Sequence, residues 1–189
     1  MNMIQLIEVI KVDNLSSRKT TRLNNANYYE SGLFFLTICT KERQCILSSI
    51  VGTGVLDGPK IQLTKYGNIA DKYIKQLNDF YPNISVESYV IMPNHIHILL
   101  HINGGQQTSI EDGSLNGPSG TPVPTIQNST VSKFVSTFKR FCNKECAQNI
   151  WQYRSYDHII RNKKDLDAHL KYIYENPINW IYDEFYPSE

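Results

Sequence analysis

A chain of 189 residues is long enough for one domain with a sizeable core and short for two. Hydrophobic residues at 41% and charged residues at 20% are the composition of an ordinary soluble globular protein, and no apolar run approaches the roughly 18 residues a membrane span needs. The net charge of +1 singles out no partner, but its distribution is uneven. Between positions 133 and 164 stand Lys133, Lys139, Arg140, Lys144, Arg154, Arg161, Lys163 and Lys164 against only Glu145 and Asp157. Such a basic half is either a solvated helix face or a phosphate-binding surface. The four cysteines, Cys39, Cys45, Cys142 and Cys146, form no CxxC pair and follow no signal peptide, so they read as reduced thiols of a cytoplasmic protein.

Residues 1–27 show no clean period and include a Ser/Arg/Lys/Thr run at 16–22, which predicts a flexible basic arm preceding one domain over 28–189. Leu33 to Thr40 is apolar, β-branched and aromatic after Ser31-Gly32, and predicts a buried first strand. Cys45 to Leu63, with Gly52, Gly54 and Asp57-Gly58-Pro59, predicts a small hairpin or an irregular excursion. Thr64 can cap a helix running to Phe80 whose apolar stripe is Ile69, Tyr73, Leu77 and Phe80, stopped by Pro82.

Ile84 to Met92 and His95 to Ile102 predict two long strands joined at Pro93-Asn94. Five of the ten glycines fall in 103–124, marking a mobile surface loop. Ser129 to Cys146 predicts a second amphipathic helix with a basic side, and Ile150 to Ile160 a returning strand. Asn162 can cap a third helix that runs to Asn176 and is limited by Pro177. The order strand, helix, strand, strand, helix, strand, plus a helix, predicts an α+β ferredoxin-like antiparallel sheet covered by helices, with an added C-terminal helix.

Strand side chains alternate faces, so His95 and His97 point the same way with Ile96 turned to the core. Two imidazoles so placed can share one metal ion, or can be two ordinary hydrogen-bonded histidines. His101 has the same parity but lies about 13 Å further along, too far for that ion. In the last helix Tyr172 and Asn176 are four residues apart and share a face, so a phenol and an amide oxygen can be delivered together, while Tyr174 faces away. Imidazole and amide donors with open positions suit Mg²⁺ or Mn²⁺ and phosphoryl chemistry.

Pro93-Asn94-His95-Ile96-His97, then Trp151 and Asp157-His158-Ile159-Ile160-Arg161, then Tyr172 through Asn176-Pro177, resemble in order and spacing the REP-associated tyrosine transposases, which belong to the single-tyrosine HUH transposases. The similarity runs from about Leu33 to Trp180. It implies metal-dependent nicking and strand transfer on single-stranded or hairpin DNA in a bacterial, nucleoid-associated protein. His95, His97 and Asn176 would hold Mg²⁺ or Mn²⁺, and Tyr172 on the added helix would be the nucleophile of a covalent phosphotyrosine. A phenol of pKa about 10 needs a metal to polarise the phosphate it attacks. Lys133, Lys139, Arg140, Arg154, His158, Arg161 and Arg43 are the expected DNA contacts, with Lys41 beside them. Tyr153 and Tyr156 read as core or base-stacking residues. The short segment Arg161 to Asp165 favours a tyrosine helix in cis, in a monomer rather than a homodimer. The rival readings are a zinc hydrolase, short of further ligands, and a ferredoxin-like nucleic-acid-binding module without catalysis.

Overall fold

The computed structural model describes residues 31–52, 58–103 and 130–187. The expected basic arm over 1–27, nearly all of the expected loop over 103–124 and residues 53–57 of the expected hairpin or excursion lie outside the described residues. Along the chain come β1 (Gly32–Cys39), β2 (Ser48–Val51), β3 (Lys60–Leu63), α1 (Lys65–Phe80), β4 (Ile84–Ile91), β5 (His95–Ile102), α2 (Thr130–Cys146), β6 (Tyr156–Ile160) and α3 (Lys163–Glu175), with short 3-10 turns at Lys41–Arg43 and Trp180–Tyr182. The main sheet has the order β4-β5-β1-β6, every neighbouring pair antiparallel, while β2 and β3 form a separate hairpin. Omitting that hairpin leaves the split βαβ-βαβ order of a ferredoxin-like sheet, with α3 added.

Alternation along β1 and β5 divides the interior in two. Phe34, Leu36 and Ile38 of β1, and Ile96, Ile98, Leu100 and Ile102 of β5, face a core completed by Ile69, Ala70, Ile74 and Leu77 of α1 and Val131, Phe134, Val135, Phe138 and Cys142 of α2. The opposite face carries Phe35, Cys39, Val90, Met92 and Leu99 under Ile173 of α3 and the following Trp180 and Phe185. The central strands are thus covered on both faces, which explains why Ile98, Leu99 and Leu100 of β5 follow one another with no polar residue between them. Among the described residues no helix is long and apolar enough to cross a membrane.

The expected α1 stripe differs in detail. Gly67, Ile69, Ala70, Ile74 and Leu77 are buried, whereas Phe80 is 69% exposed and the Tyr73 hydroxyl reaches outward to Glu145. The rotation follows from a close approach at the helix start: a Cβ on Gly67 would fall against the backbone carbonyl oxygen of Leu47, with the carbonyl carbon at 3.1 Å. Thr64 stitches the same point, its Oγ1 accepting from Gly67 N (3.2 Å) and donating to Leu47 O (3.0 Å), while Leu47 N donates to Pro93 O (2.9 Å). The strand expected over Ile150–Ile160 pairs only over Tyr156–Ile160, with Trp151 making an isolated bridge to Thr40. Tyr153 is 95% and Tyr156 48% exposed, so neither is a core residue.

Gly67→Ala is expected to force α1 off Leu47 at a cost of about 2–3 kcal/mol, lowering the melting temperature by roughly 5–10 °C in a thermal denaturation.

Candidate active site

Three elements build the site: the β4–β5 turn, the inner face of β5 and the inner face of α3. The turn is fixed by the Asn94 side chain, 1% exposed, whose Nδ2 donates to Phe185 O (2.7 Å) and Arg43 O (3.3 Å). That leaves Oδ1 to accept from His95 Nδ1 at 2.9 Å, so the Nε2 of His95 is the unprotonated nitrogen. Opposite β5, Cys39 and Thr37 of β1 pair with His95 and His97, and Thr37 Oγ1 bonds His97 Nδ1 at 3.0 Å. The imidazoles are 0% and 2% exposed, with ring centroids 4.5 Å apart.

Helix α3 begins on Asn162, whose side chain accepts from Asp165 N, and crosses the same sheet face. It brings the Tyr172 ring to 5.0 Å from His97 and 6.2 Å from Phe35. Asn176 ends the helix, 2% exposed, its N–H donating to Tyr172 O. Tyr174 points outward at 80% exposure. All of this lies within one chain.

Asp183, which the sequence reading passed over, closes the site. Its Oδ2 accepts from Asn176 Nδ2 (2.8 Å) and from the Tyr172 hydroxyl (3.2 Å). Holding the amide by its nitrogen turns Asn176 Oδ1 away from Asp183, and this oxygen is buried without a hydrogen-bond partner, as are His95 Nε2 and His97 Nε2. Such atoms cost about 1–3 kcal/mol each when nothing answers them. Two imidazole nitrogens and an amide oxygen, with the carboxylate of Asp183 close enough to His95 and His97 to share an ion, are donors that a divalent cation fits. Phe185 packs over His95 at 4.5 Å, and the Arg43 guanidinium sits 4.2 Å above the Phe185 ring. Glu42 and Arg43 both hold φ of 54°, a left-handed conformation costing of order 1 kcal/mol or more per residue.

The expected DNA contacts do not converge on this point. Lys133 and Arg140 are exposed on α2, in the layer across the sheet from the histidines, with Arg140 stacked on Phe141. Lys139 is occupied: its Nζ donates to the carbonyls of Gln152, Tyr153 and Arg154 at 2.7–3.3 Å, and burial lowers its pKa to about 8. It anchors the approach to β6. Arg154 and Arg161 are exposed at either end of β6, Lys41 is exposed beside Arg43, and His158 bonds Asp165. Of the cations, Arg43 alone among those expected lies against the residues packed on the histidine pair.

Burial drives the electrostatics. It lowers the pKa of His95 from 6.5 to about 3, Arg43 adding to the effect, and holds His97 well below its ordinary value, with His95 contributing. Burial also raises the Tyr172 phenol, assisted by the negative charges of Asp183 and Glu184. An unfolded chain protonates both histidines below about pH 6.5 while the folded chain does not. Their contribution to stability is therefore complete above pH 6.5 and is lost as pH falls below it, at about 1.4 kcal/mol per pH unit for each histidine that the fold keeps neutral, for His95 down to about 3. Melting temperatures in chelator are expected to drop between pH 6.5 and 5, and to drop less steeply for His97→Gln.

No protein-family model matches the chain. An uncharacterized protein of Haemophilus influenzae is 31% identical over 180 residues, covering 89% of this chain and 93% of that protein. A candidate REP-associated tyrosine transposase of the same organism is 29% identical over 169 residues, covering 84% and 77%. A REP-associated tyrosine transposase of Escherichia coli is 25% identical over 156 residues, covering 82% and 72%. A solved REP-associated tyrosine transposase bound to a REP hairpin has a TM-score of 0.55 and 22% identity, over 86% of this chain and 77% of that one, and so shares the fold. With its ferredoxin-like sheet, its His-Ile-His strand and its tyrosine helix, this chain belongs to the REP-associated tyrosine transposases.

Proposed function

We propose that the chain nicks and rejoins single-stranded, hairpin-forming DNA through a covalent phosphotyrosine on Tyr172, in the presence of Mg²⁺ or Mn²⁺ held by His95, His97 and Asn176. The observation that carries this reading is that His95 Nε2, His97 Nε2 and Asn176 Oδ1 are all buried and unpartnered around Asp183, which lies within ligand distance of both histidines and holds the Asn176 amide, beside a tyrosine whose ring lies 5.0 Å from His97. Three isolated accidents of burial at one place, on two elements far apart in sequence, would be an expensive coincidence. The hairpin substrate is supported by the related transposase solved on a REP hairpin.

When bound, a divalent ion supplies Lewis-acid polarisation of the scissile phosphate. The chain's own residues do the rest. Tyr172 Oη attacks phosphorus and the P–O bond to the 3′ oxygen breaks, so that the upstream DNA segment leaves with a 3′-hydroxyl while the 5′-phosphate of the downstream segment stays on the tyrosine. The phenol proton already lies on the hydrogen bond to Asp183 Oδ2. The phosphotyrosine diester keeps the energy of the broken bond, so a 3′-hydroxyl can attack it and restore the DNA without ATP. Asp183 fixes the Asn176 amide, and with it the direction in which Oδ1 is offered. The exposed basic residues Arg43, Arg154 and Arg161, together with Lys133 and Arg140 on the far layer, neutralise phosphates of a substrate long enough to wrap the domain. Because α3 reaches the histidines of its own chain, a monomer carries the full set.

Incubation of the purified protein with a labelled single-stranded hairpin library and Mn²⁺ is expected to give a denaturation-resistant adduct that peptide mass mapping assigns to Tyr172. Tyr172→Phe and EDTA are each expected to abolish it. An adduct on Tyr174 would transfer the nucleophile to the exposed face of α3, and tight salt-sensitive binding without any adduct would leave a hairpin-binding module.

A further inference from the structure

The sheet face that carries His95 and His97 also carries His158. Register places His158 of β6 beside Phe35 of β1, which lies beside Leu99 of β5, so all three side chains emerge on the α3 side. Above them, Asp165, His169, Tyr172 and Asn176 follow one another at four-, three- and four-residue steps along one stripe of α3. The second half of that stripe meets the histidine pair. Its first half meets His158: the His158 and His169 rings stack with centroids 4.8 Å apart and planes 18° apart, and Phe35 lies between His169 (4.5 Å) and His97 (5.0 Å).

Asp165 stands among these rings. Its carboxylate lies 3.0–3.1 Å from His158 Nε2 and 3.1 Å from His169 Nδ1, and its backbone oxygen accepts from His169 Nδ1 at 2.8 Å. Ligand atoms from His158, Asp165 and His169 all fall within 4.8 Å of one another. Neighbouring ligand atoms around a tetrahedral zinc ion are about 3.3 Å apart, so the His158 and Asp165 atoms already have that spacing. Asp165 and His169 are each 22% exposed and His158 46%, which leaves the side toward solvent open for an ion to enter.

We propose that His158, Asp165 and His169 form a second divalent-cation site, distinct from the histidine pair of β5. Two imidazoles and a carboxylate are borderline donors that select Zn²⁺ over Mg²⁺, and three protein ligands leave one position for water or another oxygen donor. An ion here ties β6 to the first two turns of α3, so it clamps the helix that carries Tyr172 at the end remote from the tyrosine. The site requires nothing of the chemistry assigned to Tyr172, and its failure leaves that reading untouched.

The test is the stoichiometry of Zn²⁺ binding to the full chain, stripped of metal with EDTA and titrated against a chromophoric chelator. His158→Asn/His169→Asn is expected to bind one equivalent fewer than the unaltered protein, with an unchanged far-ultraviolet circular dichroism spectrum. His95→Ala/His97→Ala is expected to retain that equivalent, and Zn²⁺ to raise the melting temperature of the unaltered chain more than that of the His158/His169 variant. Equal stoichiometry in the unaltered chain and the His158/His169 variant would overturn the proposal. Should that variant not fold, the single His169→Gln variant, which removes one ligand, decides it by the same comparison.

Discussion

The molecule depends on β5 being buried on both faces. A strand with only one covered face could send its polar residues to water, but here Ile96, Ile98, Leu100 and Ile102 fill the core under α1 and α2 while His95, His97 and Leu99 lie under α3 and the C-terminal segment. The histidines are thereby desolvated and held neutral, and their orientation is taken over by Asn94 and Thr37 rather than by solvent. Desolvation and orientation together make these imidazoles suited to a cation, since no proton competes for the lone pairs near neutral pH.

Helix α3 has the complementary task. Its buried apolar contribution is slight, with Ile173 alone fully buried, so its place on the sheet rests largely on polar and aromatic contacts: His169 on Phe35, Tyr172 on His97 and Asn176 on Asp183. A helix packed this way is held less firmly than one seated in an apolar core, and the link from β6 is only Arg161 and Asn162. The residues proposed to perform the reaction and those that hold the helix are therefore largely the same.

What the sequence made legible were the features with a local period. The alternation of β5 put His95 and His97 on one face, the helical repeat put Tyr172 beside Asn176, and Thr64 and Asn162 announced the helix starts they cap. Asp183 and Phe185 stayed hidden because they follow Pro177 in a stretch without period, and their roles arise only when that stretch folds back on Asn94 and Asn176. Lys139 misled for a related reason. Its charge suggested a phosphate contact, whereas its use is set by the carbonyls of 152–154, which only the tertiary fold brings to it. The truncated β6 has the same origin: Ile38 and Cys39 of β1 continue past its last β6 partner, Tyr156, but the chain at 152–154 turns its carbonyls to Lys139 Nζ instead of continuing the ladder.

The edge strand β4 contains a bulge at Glu87, between the pairs Val86–Leu100 and Ser88–Leu99. Upstream of the bulge, the strand pairs only with the distal half of β5; downstream of it, Val90 and Ile91 pair with His97 and Ile96. An extra residue is therefore already absorbed at the margin of the sheet before the chain reaches the turn that presents the histidines. A residue gained or lost around 83–87 can be taken up there without changing which way any side chain of β5 points. Between 95 and 97 there is no such slack, because a shift of one residue would exchange the isoleucines with the imidazoles.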